Sequence, residues 1–345
     1  MRAIWIRKHG GPEVLEVRET PDPTPAEGEV RVRVKACGLN FAEVSARQGL
    51  YPDAPKPPCI VGYEGAGVID ALGPGVKGDA GVKGLEVGQR VLFMKRFGAH
   101  ADVACVPAMQ AVPMPDAMSF EHGAALPVNY ITAYHMLFHL ARVRKGERVL
   151  VHMAAGGVGT AALQLCRHHG GIETFGTCSA AKHDFARAQG CDHPIDYRTQ
   201  DYVAEVRRLT NGEGVDFVLD ALGGPDWKKG YSLLRESGML ICFGLANAQG
   251  AGRRNLFRAG KALLSSPRFG AMQLTGDNKG VAGLNVGHLW HRIDMLRPEI
   301  DEIVRLYSEG AIVPQIDSVH PFEKAGEAHA RIETAKNQGK VLLTP

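Results

Sequence analysis

The residues best suited to chemistry lie in one stretch, Val149-Leu150-Val151-His152-Met153-Ala154-Ala155-Gly156-Gly157-Val158-Gly159. An apolar β-branched run leads into a series of very small residues, and Ala161, Ala162, Leu163 and Leu165 follow at helical spacing. Small residues between a strand and a helix let the backbone approach a pyrophosphate. The helix N-terminus then supplies N–H groups and a partial positive charge. Ala155, Gly156, Gly157 and Val158 are therefore predicted to cradle a dinucleotide. Ala154 stands where the G-x-G-x-x-G fingerprint has its first glycine, so the pattern relies on its setting between strand and helix.

The end of the next strand selects the cofactor. A site for NAD places Asp or Glu there, about 20 residues beyond the glycines, to hold the ribose hydroxyls. Here the segment is Gly176-Thr177-Cys178-Ser179-Ala180-Ala181-Lys182, without an acid. Ser179 and Lys182 suit a 2′-phosphate, which a carboxylate would repel. Tyr197, just after the third strand, adds a phenolic hydroxyl. NADPH is the expected cofactor.

Alternating strand and helix patterns surround this motif from about residue 128 onward, which implies a parallel sheet covered on both faces. The expected elements are strands Arg148–Met153, Glu173–Thr177, His193–Asp196, Val215–Leu219 and Gly238–Phe243. Helices are expected over Val158–His168, Lys182–Gln189, Gln200–Leu209 and Trp227–Leu234, after a helical Tyr130–Leu140. Before this region lie short strands and turns, among them Met1–Ile6, Val14–Arg18, Val30–Cys37, Val61–Leu72 and Arg90–Met94. After it the pattern returns to mixed α+β and ends in a strand, Lys340–Leu343. The fold class is α/β, with a doubly wound dinucleotide domain over residues 128–267 inserted into a mostly-β domain built from residues 1–127 and 268–345. Gly75-Val76-Lys77-Gly78 recurs as Gly81-Val82-Lys83-Gly84, and a surface loop tolerates such a duplication.

Composition excludes several classes. A net charge of +3 with both signs interspersed gives no footprint for nucleic acid or an anionic membrane. No apolar run approaches the ~20 residues that span a bilayer, and a cytoplasmic location is expected. The seven cysteines are at least twelve positions apart, so no C-x-x-C pair is available for a structural zinc or a redox motif. They are expected to be buried free thiols.

Several longer segments resemble the quinone oxidoreductase branch of the medium-chain dehydrogenases/reductases, and within it the VAT-1 group of synaptic vesicle proteins. They are Gly38-Leu39-Asn40-Phe41-Ala42-Glu43, Ala46-Arg47-Gln48-Gly49-Leu50-Tyr51, Val128-Asn129-Tyr130-Ile131-Thr132-Ala133-Tyr134, the glycine turn, His193-Pro194-Ile195-Asp196-Tyr197, Ile316-Asp317-Ser318-Val319 and Pro321-Phe322-Glu323-Lys324. The resemblance covers essentially the whole chain. It implies a GroES-like catalytic domain, a Rossmann domain, and a homodimer joined through the edge of the nucleotide domain's sheet. It also implies that Ala221, Phe243 and Gly244 flank the cofactor's ribose and nicotinamide. Leu284, Asn285 and Lys340 would approach the cofactor from the C-terminal part.

Zinc-dependent relatives bind the metal through Cys, His and Cys. Against that pattern this chain carries Asn40, Tyr63 and Val128, a set without useful zinc affinity. His135 and His139 are one helical turn apart but lack the Glu of an H-E-x-x-H motif. No metal is expected. Without one, a quinone or enone is a suitable hydride acceptor, since its added charge is delocalised and neutral donors suffice. Asn40, Tyr51, Tyr63 and Thr132 are the candidate catalytic residues. Three alternatives remain: a zinc alcohol dehydrogenase, a nucleotide-binding trafficking or scaffold protein with little turnover, and an enoyl-thioester reductase. For the last, Arg253, Arg254, Arg258 and Lys261 would form the basic entrance.

Overall fold

The computed structural model describes residues 1–76, 84–250 and 255–345. The Gly-Val-Lys-Gly duplication falls largely outside the described residues, as do Arg253 and Arg254. The chain divides into two compact units, one comprising Met1–Ile131 and Val286–Pro345, the other Thr132–Gly250 and Asn255–Asn285.

The second unit is built on six strands: β1 (Arg148–Val151), β2 (Glu173–Cys178), β3 (His193–Asp196), β4 (Val215–Asp220), β5 (Leu234–Cys242) and β6 (Gly280–Gly283). All pair in parallel, in the order β3-β2-β1-β4-β5-β6. A parallel sheet buries both faces, and Val149, Leu150 and Val151 have almost no exposure. Connecting helices are α1 (Gly157–His169), α2 (His183–Gln189), α3 (Tyr202–Leu209) and α4 (Pro225–Leu233), followed by α5 (Leu256–Leu264) and α6 (Ala271–Asp277). The chain winds both ways from β1, so the order reverses between β1 and β4. Open sheets of this kind bind ligands at that point, beyond the carboxyl ends of the strands.

Two local expectations shift. The fourth helix was expected to reach Leu234, but α4 stops at Leu233 and Leu234 opens β5. The cause is an irregularity: Val215 pairs with Leu234 but Phe217 with Met239, so the strand begins before the Gly238 that marks its regular part. Residues 135–140 continue the helix Pro127–Tyr134 in wider π form, a change of winding that apolar spacing does not reveal.

The first unit is mostly β, in a GroES-like arrangement. Its long strand Glu29–Leu39 alternates buried and outward residues before becoming wholly buried at its end. That strand pairs antiparallel with Glu64–Leu72, Val103–Pro107 and the C-terminal strand Lys340–Thr344. The register Val341↔Leu39 has a functional consequence: it sets Lys340 beside Asn40, three hundred positions apart in sequence. Helix Phe41–Gln48 begins there, and Arg47 within it is fully buried. Its guanidinium donates to Gly10 O at 2.8 Å and pairs with Glu333, so its buried charge is matched.

Candidate functional site

Two arrangements stand out, one in each unit. In the first unit Lys340 Nζ donates to Asn40 Oδ1 at 2.6 Å and to Glu64 Oε1, with Asn129 Oδ1 at 3.5 Å. Glu64 is inaccessible and Lys340 nearly so. Glu64 also accepts from Asn40 Nδ2 at 2.9 Å and, through Oε2, from the backbone N–H of Val128 at 2.6 Å. Glu43, one helical turn along, accepts from Asn40 N at 2.9 Å and from Nδ2 at 3.4 Å. Burial pushes the Glu43 carboxyl up to about 7, against the pull of the Lys340 charge. The amide of Asn40 is thus fully engaged, both hydrogens directed to carboxylates and its oxygen to an ammonium.

Asn40, Tyr63 and Val128, expected from the resemblance to stand where zinc-dependent relatives carry metal ligands, have other partners in the structure. Asn40 binds an ammonium, and Val128 contributes a backbone N–H to Glu64. The Tyr63 ring lies 6.5 Å edge-on from Tyr51 and 5.0 Å from Phe97. Burial, then a hydrogen bond with Tyr51, push the Tyr63 phenol well above its ordinary value. An amide already bound to an ammonium, a phenol and an aliphatic side chain do not make a donor set for Zn²⁺. All seven cysteines are free, six of them buried and Cys242 half-buried. His135 and His139 stack face to face, centroids 4.3 Å apart.

In the second unit the structure gathers the candidate cofactor residues along one edge of the sheet. Ala155, Gly156, Gly157 and Val158 follow β1, Ser179 and Lys182 follow β2, and Tyr197 follows β3. Ala221 follows β4, Phe243 and Gly244 follow β5, and Leu284 and Asn285 follow β6. The loops are tied together: Phe243 N donates to Asp220 O (2.9 Å), Ala246 N to Ala221 O (3.0 Å) and Leu284 N to Cys242 O (2.9 Å). The turn is close-packed. A Cβ on Gly159 would lie 2.4 Å from Met153 O and 2.7 Å from Ala154 Cα. Ala154 is accommodated because Gly176 faces it, where an added Cβ would approach the Ala154 Cβ to 2.8 Å. Lys340 lies in the first unit and Thr132 in the second.

Sequence reasoning missed several residues of these sites. Glu43, Glu64 and Asn129 complete the ammonium cage, brought to Lys340 by long-range packing of two helices and a strand that the sequence does not show. Arg198 was available as the cation next to Tyr197, and its guanidinium lies 6.0 Å from that ring. Asp196, an acid at the end of β3, accepts from Thr199 Oγ1 (2.8 Å) and Arg198 N (3.1 Å), so its charge is engaged with its own loop.

The chain is similar in sequence and fold to several known proteins. Residues 26–116 match the family described as alcohol dehydrogenase GroES-like domain, and residues 189–343 the family described as zinc-binding dehydrogenase. The mouse synaptic vesicle membrane protein VAT-1 homolog is 44% identical over 347 aligned positions, covering 100% of this chain and 84% of that protein. The crystal structure of the human VAT-1 homolog-like protein is similar at TM-score 0.85 and 36% identity, covering 100% of this chain and 98% of the other. Escherichia coli quinone oxidoreductase, crystallised with NADPH, aligns at TM-score 0.87 and 30% identity over 100% of both chains.

Proposed function

This chain belongs to the medium-chain dehydrogenase/reductase family, and on that premise we propose that it is an NADPH-dependent reductase of a quinone or enone-like carbonyl that works without zinc. One observation carries the reading: a candidate dinucleotide contact follows every strand of the parallel sheet, at one edge, and the end of β2 carries no acid. Backbone N–H groups of 155–158 at the start of α1 bind the pyrophosphate. Ser179, Lys182, Tyr197 and Arg198 accept the 2′-phosphate. The NADPH held by the E. coli relative supports this choice.

Bound nicotinamide supplies the hydride. The chain's own residues orient the acceptor and stabilise charge on its oxygen. Asn40 is a positioning residue here, since its hydrogens serve Glu43 and Glu64. The Lys340 ammonium supplies the fixed positive charge that a metal would supply elsewhere, held within a buried cage. Tyr51 is hydrogen-bonded to Tyr63, which holds its phenol in a fixed orientation. Its hydroxyl polarises the substrate oxygen.

The test is a titration of metal-free protein with NADPH and, in parallel, NADH, following quenching of Trp5, Trp227 and Trp290. Tight NADPH binding, weak NADH binding and quinone turnover undiminished by chelator are expected. Turnover that requires zinc would refute the metal-free mechanism, and binding of neither dinucleotide would refute the reductase.

A second reading has its own observation. Phe257, Leu264 and Met272 on α5 and α6 are 84%, 89% and 88% exposed. Arg258, Lys261 and Arg268 lie among them, and residues 237–276 contain no Asp or Glu. A basic, apolar helical surface suits the headgroups of anionic lipids, and the relatives' names place them on vesicle membranes. No helix among the described residues is long and apolar enough to cross a membrane, so such attachment would be peripheral. Sedimentation with phosphatidylserine vesicles, but not with phosphatidylcholine vesicles, would support this role.

A further inference from the structure

Beneath the glycine turn, three adjacent strands each contribute one side chain to a buried cluster. His152 directly follows β1, Thr177 lies near the end of β2, and Asp220 ends β4. All three are buried, Asp220 completely. His152 Nδ1 and Thr177 Oγ1 are 2.9 Å apart. On its other side the ring turns Nε2 toward Asp220 Oδ2, at 3.8 Å. Among the described residues neither of these two atoms has a hydrogen-bond partner. The second Asp220 oxygen accepts from the backbone N–H groups of Leu222 (2.7 Å) and Gly223 (2.9 Å).

Two buried polar atoms facing each other at this distance require a proton between them, because two lone pairs would repel. Thr177 can donate to Nδ1, which leaves the imidazole with its hydrogen on Nε2, aimed at the carboxylate. Burial acts in the same sense, pushing the His152 imidazole down and so keeping it neutral. The remaining groups near the ring are Tyr202, packed edge-on at 4.8 Å, and Asp226 and Lys229 of α4. Asp226 is already engaged by the Tyr202 hydroxyl (3.0 Å) and by Asn247 Nδ2 (2.8 Å).

We propose that His152 and Asp220 form a positioning pair that sets the loop Ala221–Gly224 against the turn Met153–Gly156, and that affinity for the nicotinamide dinucleotide depends on it. The pair acts at the switch point, where the loops after β1 and β4 must hold a common spacing to grip one ligand. Asp220 fixes its loop through two backbone N–H groups, and His152 continues into the turn. Neither side chain is accessible, so neither touches the cofactor. The inference rests on the proposal that these loops bind NADPH.

The experiment compares NADPH and NADH dissociation constants for the wild type, His152→Met, His152→Gln and the double variant His152→Met/Asp220→Asn, with thermal unfolding measured alongside. Methionine fills the space without a donor, whereas glutamine restores an N–H toward Asp220. His152→Met is expected to raise the dissociation constants of both dinucleotides by about tenfold and equally, since the 2′-phosphate contacts lie elsewhere. His152→Gln is expected to remain within about threefold of the wild type, and Asp220→Asn to recover part of the loss by removing the unpaired charge. A role confined to stability would lower the melting temperature and leave these ratios unchanged. Folded His152→Met with wild-type affinity overturns the proposal, as does His152→Gln as weak as His152→Met. Should His152→Met not fold, the Gln variant and Asp220→Asn alone decide: the proposal survives only if Gln binds as the wild type does and Asn weakens both dinucleotides together. Wild-type protein that binds neither dinucleotide overturns the pair and the cofactor reading together, a result distinct from failure of the pair alone.

Discussion

The ammonium cage of the first unit and the glycine turn of the second solve opposite problems. Around Lys340 the chain concentrates charge: Glu64, Glu43, Asn40 and Asn129 are brought together and matched nearly atom for atom. Around Gly156–Gly159 it removes side chains until backbone meets backbone, so that the binding groups are peptide N–H donors. A site made of mutually satisfied side chains fails when one partner is removed. A site made of backbone fails when a single atom is added. The two should therefore break under different kinds of substitution.

The largest effect is expected from Lys340→Met. It leaves the Glu64 carboxylate buried without its cation, which costs about 3–5 kcal/mol, read from urea unfolding. Adding Glu64→Leu should return much of that loss, because an apolar pair of similar volume replaces a buried ion pair at little cost. If Lys340→Met lost less than about 1 kcal/mol, the cage would be looser than these contacts indicate.

Next is the pH response of Glu43. Its carboxyl moves from an ordinary 4.5 to about 7 through burial, so the folded protein holds this proton more tightly than the unfolded chain. Stability from this group is complete below the unfolded value and declines as pH rises through 4.5 toward 7, by up to roughly 3 kcal/mol. Glu43→Gln keeps an oxygen for the Asn40 N–H and cannot titrate. The difference in unfolding free energy between wild type and variant should therefore change between pH 5 and pH 8 in favour of the variant. A difference independent of pH would mean that Glu43 titrates as an ordinary surface acid.

The glycine turn is tested by Gly159→Ala. The added methyl meets Met153 O and Ala154 Cα, both backbone, so no side chain can rotate aside. A loss of about 1–3 kcal/mol follows, with NADPH affinity reduced at least tenfold as the turn shifts. A variant of unchanged affinity would show that the close approach is not needed for binding.

These two regions also differed in how far the sequence revealed them. The glycine turn was legible because local spacing carries it: strand, small residues and helix are contiguous in sequence, with β1 ending two residues before the expected Met153 and α1 one residue longer at each end than expected. The cage was not, although Asn40 and Lys340 were each singled out. Their meeting depends on the register Val341↔Leu39, a long-range pairing that no local pattern encodes. The sixth strand, Gly280–Gly283, was missed for a related reason. Gly-Val-Ala-Gly has no strand propensity of its own and is a strand because β5 presents an edge to it. Asn40 was expected to donate to the substrate. In the structure Glu43 and Glu64 already take its hydrogens.

The smallest effect concerns selectivity at the ends of β2 and β3, where side chains are again responsible but solvent reaches them. Arg198 and Tyr197 are exposed and Lys182 half-buried, so their charges act through water and salt. Lys182→Ala should raise the NADPH dissociation constant about tenfold and leave NADH unchanged, the scale of one hydrogen bond to a charged group. Arg198→Ala should add a smaller loss of the same kind. Both losses should shrink as ionic strength rises from 0.01 to 1 M, because screening shortens from about 30 to 3 Å across that range. The 3–5 kcal/mol attached to Lys340 should hardly change with salt, since its partners are buried. If both responded alike, exposure would not be what separates the two lysines, and the contrast between buried cage and open edge would fail.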